Sequence, residues 1–169
     1  MTRIAFIGAG STVFARQLVS DLVAFDELRG DLSFAFHDID ETRLATSKVV
    51  AERIADTRGL RMPVDATIDR RAAIAGADFV ITMFQVGGYR PSTVVDFDIP
   101  ERYGLRQTIA DTLGVGGIMR GLRTVPVLVD VAADIAELAP NATLLNYSNS
   151  IAINMWGLDR LGAHPGFGL

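Results

Sequence analysis

A pair of glycines near the start of the chain is the first pattern that could do chemistry. Gly8 and Gly10 stand between an apolar, strand-like run and a segment with apolar residues at helical spacing, and Ser11 and Thr12 follow them directly. In such a context the pyrophosphate of a dinucleotide rests on the helix N-terminus, where backbone N–H and hydroxyl groups donate to it. Val13 occupies the position of the third glycine of the full fingerprint, so an ordinary strand-to-helix turn stays the alternative.

A carboxylate follows the second predicted strand. Asp38 at this point would accept hydrogen bonds from both hydroxyls of an adenosine ribose, and it would repel a 2′-phosphate, so the pattern favours NAD over NADP. Asp40 is better placed to cap the next helix. The alternative for Asp38 is that it caps that helix itself.

The fold class follows from alternating strand and helix patterns. Strands are predicted at 3–8, 32–36, 64–68, 78–84, 143–147 and 166–169, and helices at 13–25, 41–56, 70–75, 94–103, 118–138 and 151–161. The alternation predicts an α/β fold: a Rossmann-like, doubly wound parallel sheet in three layers, α/β/α, with strand order 3-2-1-4-5-6 and a ligand crevice between strands one and four. Residues 1–169 then form one NAD-binding domain. Pro126 should kink the long helix or mark its first turn.

The glycine-rich stretch at 85–117 is too long for a routine connection, so it is expected to line the crevice near the nicotinamide. Gln85, at its start, is predicted to contact the cofactor. Arg90 either faces the cofactor or substrate, or is a solvated loop arginine.

Composition excludes several classes of protein. The chain has 169 residues, 49% of them hydrophobic, a net charge of -4 and no cysteine. An acidic chain with scattered cations is not expected to bind nucleic acid or a membrane surface, and no apolar run approaches the ~18 residues of a membrane span. A strand pattern starts at once, which leaves no room for a signal peptide. We therefore expect a cytoplasmic protein.

Several segments together resemble the N-terminal domain of glycoside hydrolase family 4, with its α-galactosidase branch the most similar. Residues 4–11 and 38–40 resemble the cofactor motif of that family. Residues 107–118 are similar to its glycine-rich loop, 121–126 to its Arg-Thr-Ile-Pro helix signature, and 145–149 to the strand that leads to its Asn-Pro turn.

The resemblance implies an oxidative glycosidase mechanism. The family uses NAD and a divalent metal, usually Mn²⁺, in place of two carboxylates. NAD takes a hydride from C3 of the sugar, a base removes the C2 proton, the aglycone leaves by elimination, water adds, and the hydride returns. The metal polarises the sugar oxygens.

The resemblance also assigns residues. Gly8, Gly10, Ser11 and Asp38 match the cofactor motif. By the same resemblance, Asn149 would touch sugar hydroxyls beside the nicotinamide, with a turn-forming role as its alternative.

Two charged residues lie in the signature segments. Asp111 and Arg123 would either contact the substrate or belong to a structural ion pair.

Two departures limit the match. Ser150 stands where the family has proline, and the family's metal ligands, a Cys-His pair and a later His, have no counterpart. His37 and His164 are the only histidines and are expected at the surface or in structural roles, so we assign no metal ligand. The resemblance thus implies that the substrate- and metal-binding portion is absent here. The chain should bind NAD weakly or moderately, bind a sugar glycoside only when completed, and hydrolyse none unaided.

Two other functions stay open. One is a domain of a malate- or lactate-type 2-hydroxy-acid dehydrogenase, which shares the glycine turn and the Asp-Ile-Asp ending. The other is a non-catalytic nucleotide-binding or self-assembling module, whose exposed apolar surface would be buried in a homo-oligomer.

Overall fold

The computed structural model describes residues 1–28 and 30–169, and these form a parallel sheet of six strands in the order β3-β2-β1-β4-β5-β6. The strands are β1 Thr2–Ile7, β2 Leu32–His37, β3 Val64–Thr67, β4 Phe79–Thr82, β5 Thr143–Asn146 and β6 Gly166–Gly168. The helices are α1 Thr12–Leu22, α2 Glu41–Thr57, α3 Arg70–Ile74, α4 Val94–Arg102, α5 Gly114–Leu138 and α6 Ile151–Arg160. The predicted fold class and strand order are confirmed.

The central strands are apolar on both faces because helices cover both faces. Phe6 of β1 packs edge-to-face on Phe34 and Phe36 of β2, at 5.5 and 5.1 Å between ring centroids, within a core that includes residues of α1 and α2. Ala5 and Val80 belong to a second core with residues of α3, α5 and α6. The sheet is therefore the middle of three layers.

Helix α5 begins at Gly114, four residues before the predicted start at 118. The glycines that suggested a loop are required for close packing. A Cβ on Gly116 would lie 1.9 Å from the carbonyl oxygen of Ala110, and one on Gly117 would lie 2.4 Å from that of Thr112. Bare backbone therefore lets the first turn of α5 approach the preceding segment.

Pro126 lies well inside α5, so the prediction that it marks the first turn of the helix is wrong. The helix continues across it. The donor that proline lacks would have bonded the carbonyl of Leu122, a residue that is exposed to solvent.

Within the described residues, no helix is both long enough and apolar enough to cross a membrane.

Candidate functional site

The glycine turn lies where β1 meets α1, at the carboxyl edge of the sheet. Gly8 has a φ of +97°, which side chains disfavour, and a Cβ there would lie 2.8 Å from backbone and side-chain atoms of Phe84. The N–H groups of Gly8 and Ala9 both donate to the carbonyl oxygen of His37 at 2.9 Å. The turn is therefore attached to the ends of β2 and β4 as well as to its own strand.

The donors at the start of α1 differ in part from those predicted. The N–H groups of Ser11 and Thr12 donate to carbonyls of the two glycines, at 3.1 and 2.9 Å, so they face into the turn. Within the described part of the chain, the N–H groups of Val13 and Phe14 have no backbone acceptor, as expected for the first turn of a helix. The Thr12 hydroxyl also faces inward, at 3.4 Å from the carbonyl oxygen of Gly10, to which it donates, and at 3.3 Å from the Ser47 hydroxyl. The start of α1 therefore offers a ligand the Ser11 hydroxyl and the backbone N–H groups of Val13 and Phe14.

Asp38 lies over the glycine turn. Its Oδ2 accepts the N–H of Gly10 at 2.7 Å, and its Oδ1 accepts the N–H of Asp40 at 2.9 Å. Each oxygen keeps further acceptor capacity, because a carboxylate offers about four lone-pair sites. Asp40 caps α2 by accepting the N–H of Arg43 at 3.0 Å, which confirms its predicted role.

The two histidines have structural surroundings. His37 is buried at the end of β2, and this burial is the main cause that lowers the pKa of its ring. The negative charge of Asp38 raises that pKa, and the positive charge of Arg70 lowers it further. A ring nitrogen of His164 lies 2.7 Å from the carbonyl oxygen of Ala142. Across residues 1–28 and 30–169, no group of three or more His, Asp or Glu side chains is arranged to hold a metal ion.

The segment after β4 carries Gln85 and Arg90. The Gln85 amide donates to the Thr93 hydroxyl and, at 3.4 Å, to the carbonyl of Gly88, so this side chain closes its own loop. Arg90 is exposed and has extended backbone angles, φ -113° and ψ 130°, within the turn Gly88–Thr93.

The residues of the signature segments have separate partners. Asp111 pairs with Arg120 at 2.6 Å, and Arg123 forms a bidentate ion pair with the buried carboxylate of Asp96, at 2.5 and 3.1 Å. Asp111 and Arg123 are therefore not partners of one another. Sequence reasoning missed Asp96 and Arg120, because nothing in their spacing indicates these contacts.

Asn149 is exposed in the turn between β5 and α6, and its peptide bond to Ser150 is cis. It lies beyond the carboxyl end of β5, whereas Asp38 lies beyond that of β2. The two predicted contacts are thus on opposite sides of the central strands.

This sheet order and glycine turn define a Rossmann-type domain. Residues 3–164 match the sequence model of family 4 glycosyl hydrolases, and the chain belongs to that family. The α-galactosidase of Bacillus subtilis (strain 168) is 50% identical over 152 residues, which are 90% of this chain and 35% of that protein. The α-galactosidase of Rhizobium meliloti (strain 1021) is 41% identical over 168 residues, 99% of this chain and 34% of its own length. The chain thus spans about a third of the length of these relatives.

Solved structures agree with this assignment. The 6-phospho-beta glucosidase of Thermotoga maritima, solved with manganese, NAD⁺ and glucose-6-phosphate, superimposes with a TM-score of 0.84 at 28% identity, covering 100% of this chain and 39% of that one. A malate dehydrogenase of Plasmodium falciparum reaches a TM-score of 0.66 at 16% identity, which shows a shared fold alone. The family match therefore favours the glycosidase interpretation over the dehydrogenase alternative.

Proposed function

We propose that residues 1–169 bind NAD, as the dinucleotide-binding domain of a family 4 glycosidase that acts on α-galactosides. The observation that carries the proposal is the carboxylate of Asp38, held at 2.7 Å from the N–H of Gly10 beside the start of α1. This contact supports a site in which one ligand meets a ribose acceptor and a phosphate-binding helix end together.

The donors and acceptors suit NAD. The N–H groups of Val13 and Phe14 and the hydroxyl of Ser11 lie at the start of α1, where the helix dipole favours an anion, whereas the Thr12 hydroxyl is engaged by Gly10 and Ser47. The spare lone pairs of Asp38 suit ribose hydroxyls, and its charge disfavours the 2′-phosphate of NADP.

The other contacts predicted from the sequence differ in availability. Asn149 and Arg90 are exposed, so they can meet the sugar and the nicotinamide side of the ligand. The carboxylate of Asp111 is engaged by Arg120 and the amide of Gln85 by its own loop. Asp111 thus keeps acceptor capacity, as Asp38 does, and Gln85 keeps its amide oxygen, so each can contact a ligand while it holds its own segment.

The chemistry divides between ligand and protein. NAD, when bound, supplies the hydride acceptor, and this chain binds and orients it. The described residues do not fit a Mn²⁺ site, because no group of suitable side chains is arranged to hold one. We therefore propose no metal-dependent step here, and no glycoside hydrolysis by residues 1–169 alone.

Helix α5 carries an exposed apolar stripe that supports self-association. Val115, Ile118, Met119 and Leu122 share one helical face and are 46 to 65% exposed. Light scattering tests this part of the proposal: a dimer or higher oligomer supports it, and a clean monomer counts against it. The cytoplasmic location stays a prediction.

A calorimetric titration with NAD and NADP tests the main proposal. Saturable binding of NAD, with weaker binding of NADP, supports it. No binding of NAD by the folded chain would contradict it.

A further inference from the structure

A network of buried polar side chains lies at the carboxyl ends of β4 and β5, beside the turn that carries Asn149. Its members are Thr82, Asn146, Ser148 and Asn154, and all four are buried. Burying polar groups costs free energy unless they are hydrogen-bonded, and networks that are bonded fix the backbone they touch.

Ser148 is held at each of its polar groups. Its N–H donates to Asn146 Oδ1 at 3.2 Å, and its carbonyl accepts from Asn146 Nδ2 at 3.0 Å and from Asn154 Nδ2 at 2.9 Å. Its hydroxyl accepts the N–H of Phe84 at 3.2 Å. The Thr82 hydroxyl donates to Asn146 Oδ1 at 2.9 Å, which fixes the orientation of that amide.

The same network contacts the glycine turn between β1 and α1. The backbone of Phe84, which donates to Ser148, is also the backbone that fills the space beside Gly8. One residue therefore contacts the glycine turn on one side and the residue before Asn149 on the other. The distance between the two turns is set by buried contacts.

A bound dinucleotide would extend along this line. Asp38 at the end of β2 places the adenosine ribose, and the start of α1 places the phosphates, so the nicotinamide half extends over β4 and β5. Asn149 is exposed at that end.

We propose that this network is a positioning device for the nicotinamide half of the ligand, with Thr82 and Asn154 as positioning residues. It rests on the proposed binding of NAD. Neither side chain touches the ligand. Asn154 acts through the carbonyl of Ser148, and Thr82 acts through the amide of Asn146. Within the described residues, Oδ1 of Asn154 has no hydrogen-bond partner, so its donor to Ser148 is the bond that the substitution removes.

The test compares NAD with ADP-ribose, which lacks only the nicotinamide. Calorimetry gives both dissociation constants for the unchanged chain, Asn154→Ala and Thr82→Val. Thr82→Ser keeps the hydroxyl and serves as the conservative variant. Leu158→Val, one turn beyond Asn154 on α6, is the control for a small loss of buried contacts outside the network.

We expect Asn154→Ala and Thr82→Val to raise the dissociation constant of NAD by about three- to tenfold, as for the loss of one hydrogen bond. The dissociation constant of ADP-ribose should change by no more than about twofold. Thr82→Ser and Leu158→Val should keep the ratio of the two constants. If the substitutions weaken the binding of NAD and of ADP-ribose by the same factor, or if the unchanged chain binds both ligands equally, the positioning role is wrong while the proposed binding of NAD stands. If the unchanged chain binds neither ligand, the proposed function itself fails. Thr82→Val changes only one hydroxyl to a methyl, so it provides the test even if Asn154→Ala does not fold.

Discussion

The carboxylate of Asp38 and the backbone of Gly10 are 28 residues apart in sequence and 2.7 Å apart in space, measured from Oδ2 to N. A Cβ on Gly10 would lie 2.6 Å from the same oxygen. The absence of a side chain at Gly10 therefore allows the Asp38 carboxylate to approach the turn this closely. One side chain holds the glycine turn and, in the proposed site, also presents acceptors to a ribose.

Replacing the charged side chain of Asp38 should weaken the binding of NAD without disrupting the glycine turn. In Asp38→Asn, the remaining oxygen can still accept the N–H of Gly10, while the new amide nitrogen cannot accept the N–H of Asp40. We expect NAD to bind about tenfold more weakly, and the preference over NADP to shrink, because charge-assisted hydrogen bonds are lost. Titration calorimetry with both ligands measures this. Asp40→Asn removes the same charge two residues away and keeps a good helix cap, so it should change neither affinity by more than about twofold.

The contact between Gly10 and Asp38 predicts a coupling. Gly10→Ala should lower the free energy of unfolding because the new methyl group displaces the carboxylate. In an Asp38→Ala background the same change should cost less. Urea unfolding of the four proteins should give a coupling of about 1 kcal/mol. Additive effects would show that the close approach carries no energetic weight.

The ion pair between Asp96 and Arg123 should contribute to stability. The Asp96 side chain is 1% exposed and that of Arg123 is 29% exposed. Asp96→Ala should lower the free energy of unfolding by about 2–3 kcal/mol, less than for a fully buried pair because water reaches the arginine. Glu101 pairs with Arg106 at the surface, so Glu101→Ala should cost no more than about 0.5 kcal/mol. Equal losses in urea unfolding would contradict this account.

Burial of His37 predicts a loss of stability in mild acid. Burial lowers the pKa of its ring, so the unfolded chain takes up the proton first as the pH falls below the ordinary pKa of 6.5. The stabilising contribution is complete above that pKa and is lost as the pH falls towards the lowered pKa of the folded state. For one proton, the free energy of unfolding changes by at most about 1.4 kcal/mol per pH unit. Unfolding between pH 7.5 and 5.5 should show a shallower decline for His37→Gln, and an unchanged decline would exclude this histidine as the cause.

The local patterns predicted most of the fold. The strands β1 and β2 are apolar runs buried on both faces, and the glycine turn, Asp40 cap and α2 followed from short-range signals. The start of α5 was missed because Gly116 and Gly117 suggest a loop until the backbone packed against them is known.

The partners of charged residues could not be predicted. Asp96 and Arg123 lie 27 residues apart and meet only because α4 packs on α5. The network around Ser148 likewise joins two strands and a helix, and no spacing in the sequence indicates it. Tertiary contacts decide these interactions, whereas local periodicity decides the elements.

A crystal structure of this chain with NAD tests the central claim most directly. We predict the ribose hydroxyls at about 3 Å from the carboxylate of Asp38, and the pyrophosphate at a similar distance from the N–H groups of Val13 and Phe14. An empty crevice at saturating NAD, or Asp38 turned away from a bound ribose, would contradict the account.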